Sequence, residues 1–229
     1  MTEQKSVKRQ RTAKKIIIDT DPGVDDTMAI LLAFNSPEVE VIGLTTIFGN
    51  VRTPTATRNA IHLCELAGKS HIPVAQGADR QLRGNVKERI ATFVHGDDGL
   101  GNTGEPFPTG KAVAEDAADF LAHHCRDAPG EITIVALGPL TNLALAMQRD
   151  AEFPKNAAEI VVLGGALFCN GNVNPAAEAN IFGDPDAADL VFTSGGLVTL
   201  IGLDVTQKTV MMAAEVDELK AKVGPKIGR

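Results

Sequence analysis

The chain has 229 residues, 44% of them hydrophobic, enough to bury the core of one large domain or two small ones. Net charge is −7, and the first fifteen residues hold six Lys or Arg against one Glu, so the body that follows is acidic. Such a body, with nine Phe and neither Trp nor Tyr, repels phosphate backbones and offers few rings for base stacking, which excludes a nucleic-acid surface.

The basic leader MTEQKSVKRQRTAKK has no apolar run, so it is no secretory signal. Residues 1–14 read as a disordered tail and 15–229 as a single domain. No segment has the apolar length of a membrane span. Cys64, Cys125 and Cys169 lack metal or redox spacing and read as reduced thiols, which points to the cytoplasm.

In chain order, Ile16–Ile18 make a short buried strand ending at Asp19, and an apolar helix follows to about Asn35, stopped by Ser36-Pro37. Val39–Ile47 is a second strand. Pro54 opens a helix that stops at Gly68, and Ile72–Ala75 is a third strand. From Gln76 to Gly110 the chain is rich in Gly, Asp and Asn, a length that marks a functional or partly helical connection. Ala112–Cys125 reads as a helix, Glu131–Leu137 as the central strand, and Leu140–Gln148 as the next helix. Ile160–Leu163 is a strand before a second long loop, Gly164–Gly183. Asp184-Pro185 caps and starts a helix; Leu197–Leu203 is the last strand and Glu215–Val223 the last helix. Alternating strands and helices predict an α/β fold: a mostly parallel, Rossmann-like sheet with helices on both faces. Ligands of such sheets bind beyond the carboxyl ends of the strands, where Asp21, Asn50, Leu137, the 164–183 loop and Asp204 all fall.

The stretch with the most chemistry is Lys15–Asp26, KIIIDTDPGVDD. Asp19, Asp21, Asp25 and Asp26 lie within eight residues of one another around a Pro22-Gly23 turn. Taken singly, they read as turn residues and first-turn helix acids. Together they repel, and a helix N-terminus relieves only part of that repulsion. A hard divalent cation with oxygen ligands relieves the rest.

DTDPGVDD also resembles the amino-terminal signature of the inosine-uridine-preferring nucleoside N-ribohydrolases, and later motifs in the chain match as well. The resemblance implies a Ca²⁺ ion held by Asp21, Asp26 and the main-chain carbonyl of Leu137. It implies Asp25 as general base toward a water that attacks the anomeric carbon of a ribonucleoside, through an oxocarbenium-like transition state. Asn50 in the IFGN turn, and Asn172, Glu178 and Asn180 in GGALFCNGNVNPAAEANIFGDP, match residues that hold sugar hydroxyls. Histidine titrates near neutrality, and His95 in VHGDDGLG matches a histidine suited to the sugar or the leaving base. Gly138-Pro139-Leu140-Thr141-Asn142 matches a motif expected only to turn the chain and start a helix. Relatives of this kind are homodimers or homotetramers.

The resemblance runs from about Lys14 to about Lys208. Family members continue further, into a His-Asp pair that this chain lacks, so the C-terminal portion of the family fold is expected to be missing. Ca²⁺-dependent hydrolysis of ribonucleosides to base and ribose is therefore set beside a shortened homologue that binds nucleoside or ribose with weak turnover or none. A Mg²⁺ phosphotransfer domain is the third class, with only Gly164-Gly165 as a phosphate grip.

Overall fold

The computed structural model describes residues 13–86 and 90–223. Most of the basic tail lies outside them, but its boundary moves: Lys14 already pairs with Val39 at the start of the first strand. Six strands, β1 (Lys14–Thr20), β2 (Val39–Thr46), β3 (Val74–Gln76), β4 (Ile132–Ala136), β5 (Glu159–Leu163) and β6 (Val198–Ile201), form one sheet in the order β3-β2-β1-β4-β5-β6. Every pairing is parallel. The chain winds outward from β1 to β3, then restarts at β4 on the other side of β1.

Helices cover both faces, as the alternation requires. They are α1 (Val24–Asn35), α2 (Thr53–Leu66), α3 (Thr92–His95), α4 (Ala117–Asp127), α5 (Thr141–Arg149), α6 (Phe153–Asn156), α7 (Ala179–Gly183), α8 (Pro185–Phe192), α9 (Leu203–Thr206) and α10 (Ala213–Val223). The period of two along β1 splits its isoleucines between two cores. Ile16 and Ile18 join Leu44, Ala60 and Leu63 beneath α1 and α2. Ile17, wholly buried, joins Phe120, Leu121, Leu143 and Val191 beneath α4, α5 and α8. Each such side chain contributes about 1.5–3 kcal/mol by leaving water. The β1–β2 register slips between Ile16 and Ile17, where Ile17 pairs with Gly43. A Cβ on Gly43 would sit 2.6 Å from the Phe120 ring, so glycine there lets α4 close on the sheet.

Several boundaries differ from the sequence expectation. The helix read from Ala112 begins at Ala117, because Asp116 accepts the Asp119 N–H and caps it. Ahead of it the chain runs along β3, with the Val113 N–H donating to the Val74 carbonyl. Short helices α3, α6, α7 and α9 occupy stretches read as loops or strand. Among the described residues no helix is long and apolar enough to cross a membrane.

Candidate functional site

The strand order reverses between β1 and β4, so the connections leaving their carboxyl ends part there, the place where sheets of this kind bind ligands. The acid turn leaves β1 at this point and Leu137-Gly138 leaves β4. Asp21 is 1% exposed, and its Oδ2 accepts the Asn50 N–H at 2.5 Å. A Cβ on Gly49 would collide with the same oxygen, and one on Gly138 would lie 2.7 Å from Oδ1. Two glycines from different loops thus make room for this carboxylate.

Asp26 sits in the first turn of α1 with its side chain turned back. Its Oδ1 accepts the Thr20 hydroxyl at 2.6 Å; its Oδ2 accepts the Gly23 N–H at 3.2 Å and the Asn50 Nδ2 at 2.9 Å. Asn50 therefore bonds Asp21 with its backbone and Asp26 with its side chain. Asp25 points the other way, its side chain 72% exposed. The His95 Nδ1 lies 3.7 Å from Asp25 Oδ1, outside hydrogen-bonding reach, and accepts the Val24 N–H at 3.3 Å. A ring nitrogen that accepts carries no proton, so this network assigns the proton to Nε2.

Asp19 lies deeper, at 0% exposure, with Oδ1 accepting the Thr45 hydroxyl at 2.5 Å and the Asn142 Nδ2 at 2.8 Å. Its Oδ2 has no hydrogen-bond partner among the described residues. Asn142 also donates to the Thr46 carbonyl and accepts the Ala78 N–H. Its motif does start a helix, but its side chain ties β1, β2 and the loop after β3 together. Sequence reasoning missed that, and missed the hydroxyls of Thr20 and Thr45.

In the second loop, Glu178 Oε2 accepts the N–H groups of Gly165, Asn180 and Ile181 at 3.0, 2.9 and 3.1 Å. That carboxylate caps α7 and holds the loop together. The Asn180 Nδ2 donates to the carbonyls of Leu137 and Leu163 at 2.8 and 2.9 Å, bridging the ends of β4 and β5. Asn172 is exposed on the loop between Gly165 and Glu178, and no hydrogen bond draws it to the acid turn. The structure thus joins Asp21, Asp26 and Asn50 in one group, sets His95 beside Asp25, and links Glu178 and Asn180 to Leu137.

The donors around the turn are oxygens, which suit a hard cation rather than a soft one. Asp21, Asp26 and the Leu137 carbonyl fit that role, since one carbonyl lone pair remains after the Asn180 bond. Among the described residues no three His, Cys, Asp or Glu side chains converge as a metal-binding group. The four acids divide instead: Asp25 turns to solvent and Asp19 is held within the sheet.

Burial pushes Asp19 up from 3.8 to about 7, against the bonds from Thr45 and Asn142. Burial, and then the neighbouring Asp25 charge, push Asp26 up to about 6. No Lys or Arg pairs with either among the described residues. Both folded values exceed the unfolded one, so the folded protein holds protons that the unfolded chain releases. Stability is then fully present below pH ~4 and falls as pH rises through about 6 to 7. Urea unfolding in chelator should show a loss on the order of a few kcal/mol between about pH 4.5 and pH 8. A divalent cation should restore stability at the upper end, and a profile that rises with pH would contradict the assignment.

A doubly wound parallel sheet with buried carboxylates at its switch point defines a Rossmann-like α/β protein. The chain belongs to the inosine-uridine preferring nucleoside hydrolase family, whose model matches residues 16–228. It is 60% identical over 211 residues to a probable uridine nucleosidase 2 of Arabidopsis thaliana, covering 92% of this chain and 66% of that one. It is 39% identical to a pyrimidine-specific ribonucleoside hydrolase of Shewanella sp. (strain ANA-3), covering 93% and 66%. A solved plant nucleoside hydrolase superposes with a TM-score of 0.88 at 56% identity, covering 90% of this chain and 65% of that one. The chain thus spans just under two thirds of the length of these relatives.

Proposed function

We propose that this protein hydrolyses the N-glycosidic bond of ribonucleosides, releasing free base and ribose, with Ca²⁺ as the resident cation. The observation that carries the reading is the pairing of two buried carboxylates, Asp21 and Asp26, through one asparagine, beside an exposed third, Asp25. The names of the relatives support the reaction class, and two Arabidopsis thaliana relatives named as uridine nucleosidases make uridine the first substrate to test.

In this reading Asp21, Asp26 and the Leu137 carbonyl hold the cation. When bound, it lowers the pKa of a ligated water and gives sugar hydroxyls a fixed point. Asp25, facing solvent on α1, takes a proton from the attacking water. Asn50, Glu178, Asn180 and Asn172 offer amide and carboxylate groups that grip ribose hydroxyls. His95, with its proton on Nε2, donates to the sugar or to the departing base. Positive charge building on the ribose is met by this acidic rim.

The test is release of uracil from uridine by the whole chain, with Ca²⁺ supplied and then removed by chelator. Turnover that chelator abolishes and Ca²⁺ restores supports the reading. Turnover indifferent to chelator removes the cation from it. Calcium-linked uridine binding by calorimetry without turnover would favour a nucleoside-binding homologue, the second reading.

A further inference from the structure

We propose that Asn59 is a positioning residue, which locks the His95 loop onto the acid turn and so sets the imidazole beside Asp25. The proposal rests on the reading of that pair given above.

Asn59 lies in the middle of α2 and is wholly buried. Its Nδ2 donates to two main-chain carbonyls at once, Pro22 at 3.1 Å and Asp98 at 2.8 Å. Pro22 belongs to the acid turn, and Asp98 follows His95 by three residues. Its Oδ1 accepts from Arg58, at 3.1 Å from Nε and 2.8 Å from Nη2. Carbonyls only accept and a guanidinium only donates, so the orientation of the amide is unambiguous. Arg58 Nη2 reaches the same Asp98 carbonyl at 3.0 Å, and the guanidinium stacks 5.4 Å from the Phe107 ring.

The loop itself is shaped to meet this clamp. Gly99 has φ of 79°, and a Cβ there would come within 2.8 Å of Asn59 Nδ2 and 2.9 Å of the Pro22 carbonyl. The Asp98 carboxylate accepts the N–H groups of Leu100 and Asn102, which makes 98–102 a unit. The Gly101 N–H returns to the His95 carbonyl at 2.8 Å, tying that unit to the histidine. At the other end His95 packs so tightly on Gly23 that a Cβ there would be 2.7 Å from Nδ1. The loop therefore touches the turn at two points, His95 on Gly23-Val24 and Asp98-Gly99 on Pro22. Asn59 supplies the hydrogen bonds of the second. Because it is on a long helix with Ala56, Ala60 and Leu63 in the core, it refers both loops to the scaffold.

Asn59→Asp is the informative change. It keeps the shape and the Arg58 contact but turns both donor bonds into contacts between acceptors. Hydrogen exchange of the whole chain, read by mass spectrometry over 95–102, is expected to rise by about tenfold or more while β1 and β4 stay protected. Uridine turnover is expected to fall about 10- to 100-fold in kcat with KM little changed, as for a misplaced catalytic group. In a His95→Ala background the same change should have less than about a twofold effect, because its route is through His95. Gly99→Ala, which pries the contact apart from the loop side, is the second variant should Asn59→Asp fail to fold. Unchanged exchange over 95–102, or losses that multiply independently in the double variant, would overturn the proposal. If the unmutated chain releases no base at all, the functional reading falls and the exchange comparison alone decides the clamp.

Discussion

Replacing Asp25 by Asn is expected to cut uridine hydrolysis by about 10²- to 10⁴-fold in kcat, the range of a removed general base. In the proposed reading the role falls to Asp25, and the surroundings of the other three acids support that choice. Asp19 is bonded by Thr45 and Asn142 within the sheet, Asp26 by Thr20, Gly23 and Asn50, and Asp21 is enclosed between two glycines. Asp25 alone of the four presents its oxygens to solvent, from the first turn of α1. Asparagine preserves shape and removes the basic oxygen. Loss of one first-turn acid costs only about 0.3–1 kcal/mol of helix-end stabilisation, so thermal unfolding should barely move. The separation of a large kinetic effect from a small stability effect is the diagnostic. A variant with undiminished kcat would assign the proton to another acceptor, and one that melts many degrees lower would show Asp25 to be structural.

The order of strands and helices was legible because each strand is a short aliphatic run bounded by Gly, Pro or Asp. The acid turn was legible because four like charges around Pro22-Gly23 have no local explanation. What escaped was everything decided by long-range partners. Asn142 and Asn59 look like ordinary polar residues in helices, yet Asn142 bonds three groups from elsewhere in the chain, and Asn59 donates to two distant main-chain carbonyls while its oxygen accepts from the neighbouring Arg58. A weak signal existed: both are poor helix formers set among buried Ala and Leu, and a buried polar group must find partners. Glu178 is a different case. Its spacing to Asn180 was visible as a motif, but only the geometry reveals that one carboxylate oxygen is committed to three backbone donors. The start of α4 was misplaced for a similar reason, since the cap at Asp116 competes with an earlier helical start that composition alone permits.

Gly49→Ala should be nearly as damaging as removal of Asp21 itself, although it adds one methyl to a residue with no chemistry. The new Cβ would fall on Asp21 Oδ2, and the carboxylate has little room to step aside, because Gly138 lies against its other oxygen. The backbone at Gly49 is equally fixed: its N–H bonds the Val51 carbonyl at 2.9 Å, and Phe48 and Val51 are buried to either side. Either the turn shifts, breaking the Asn50–Asp21 bond, or Asp21 rotates away from Asp26. Both disperse the oxygens proposed to hold the cation. The expected result is a loss of Ca²⁺-dependent turnover of about a hundredfold or more, with about 1–3 kcal/mol of destabilisation from overpacking. Gly68→Ala is the matched control. Its φ of 66° makes a side chain strained, but nothing lies within 4 Å of the added atom. It should lose about 1 kcal/mol of stability and keep its Ca²⁺ response. A Gly49→Ala variant whose activation by Ca²⁺ keeps the original midpoint would mean that the cation binds away from Asp21.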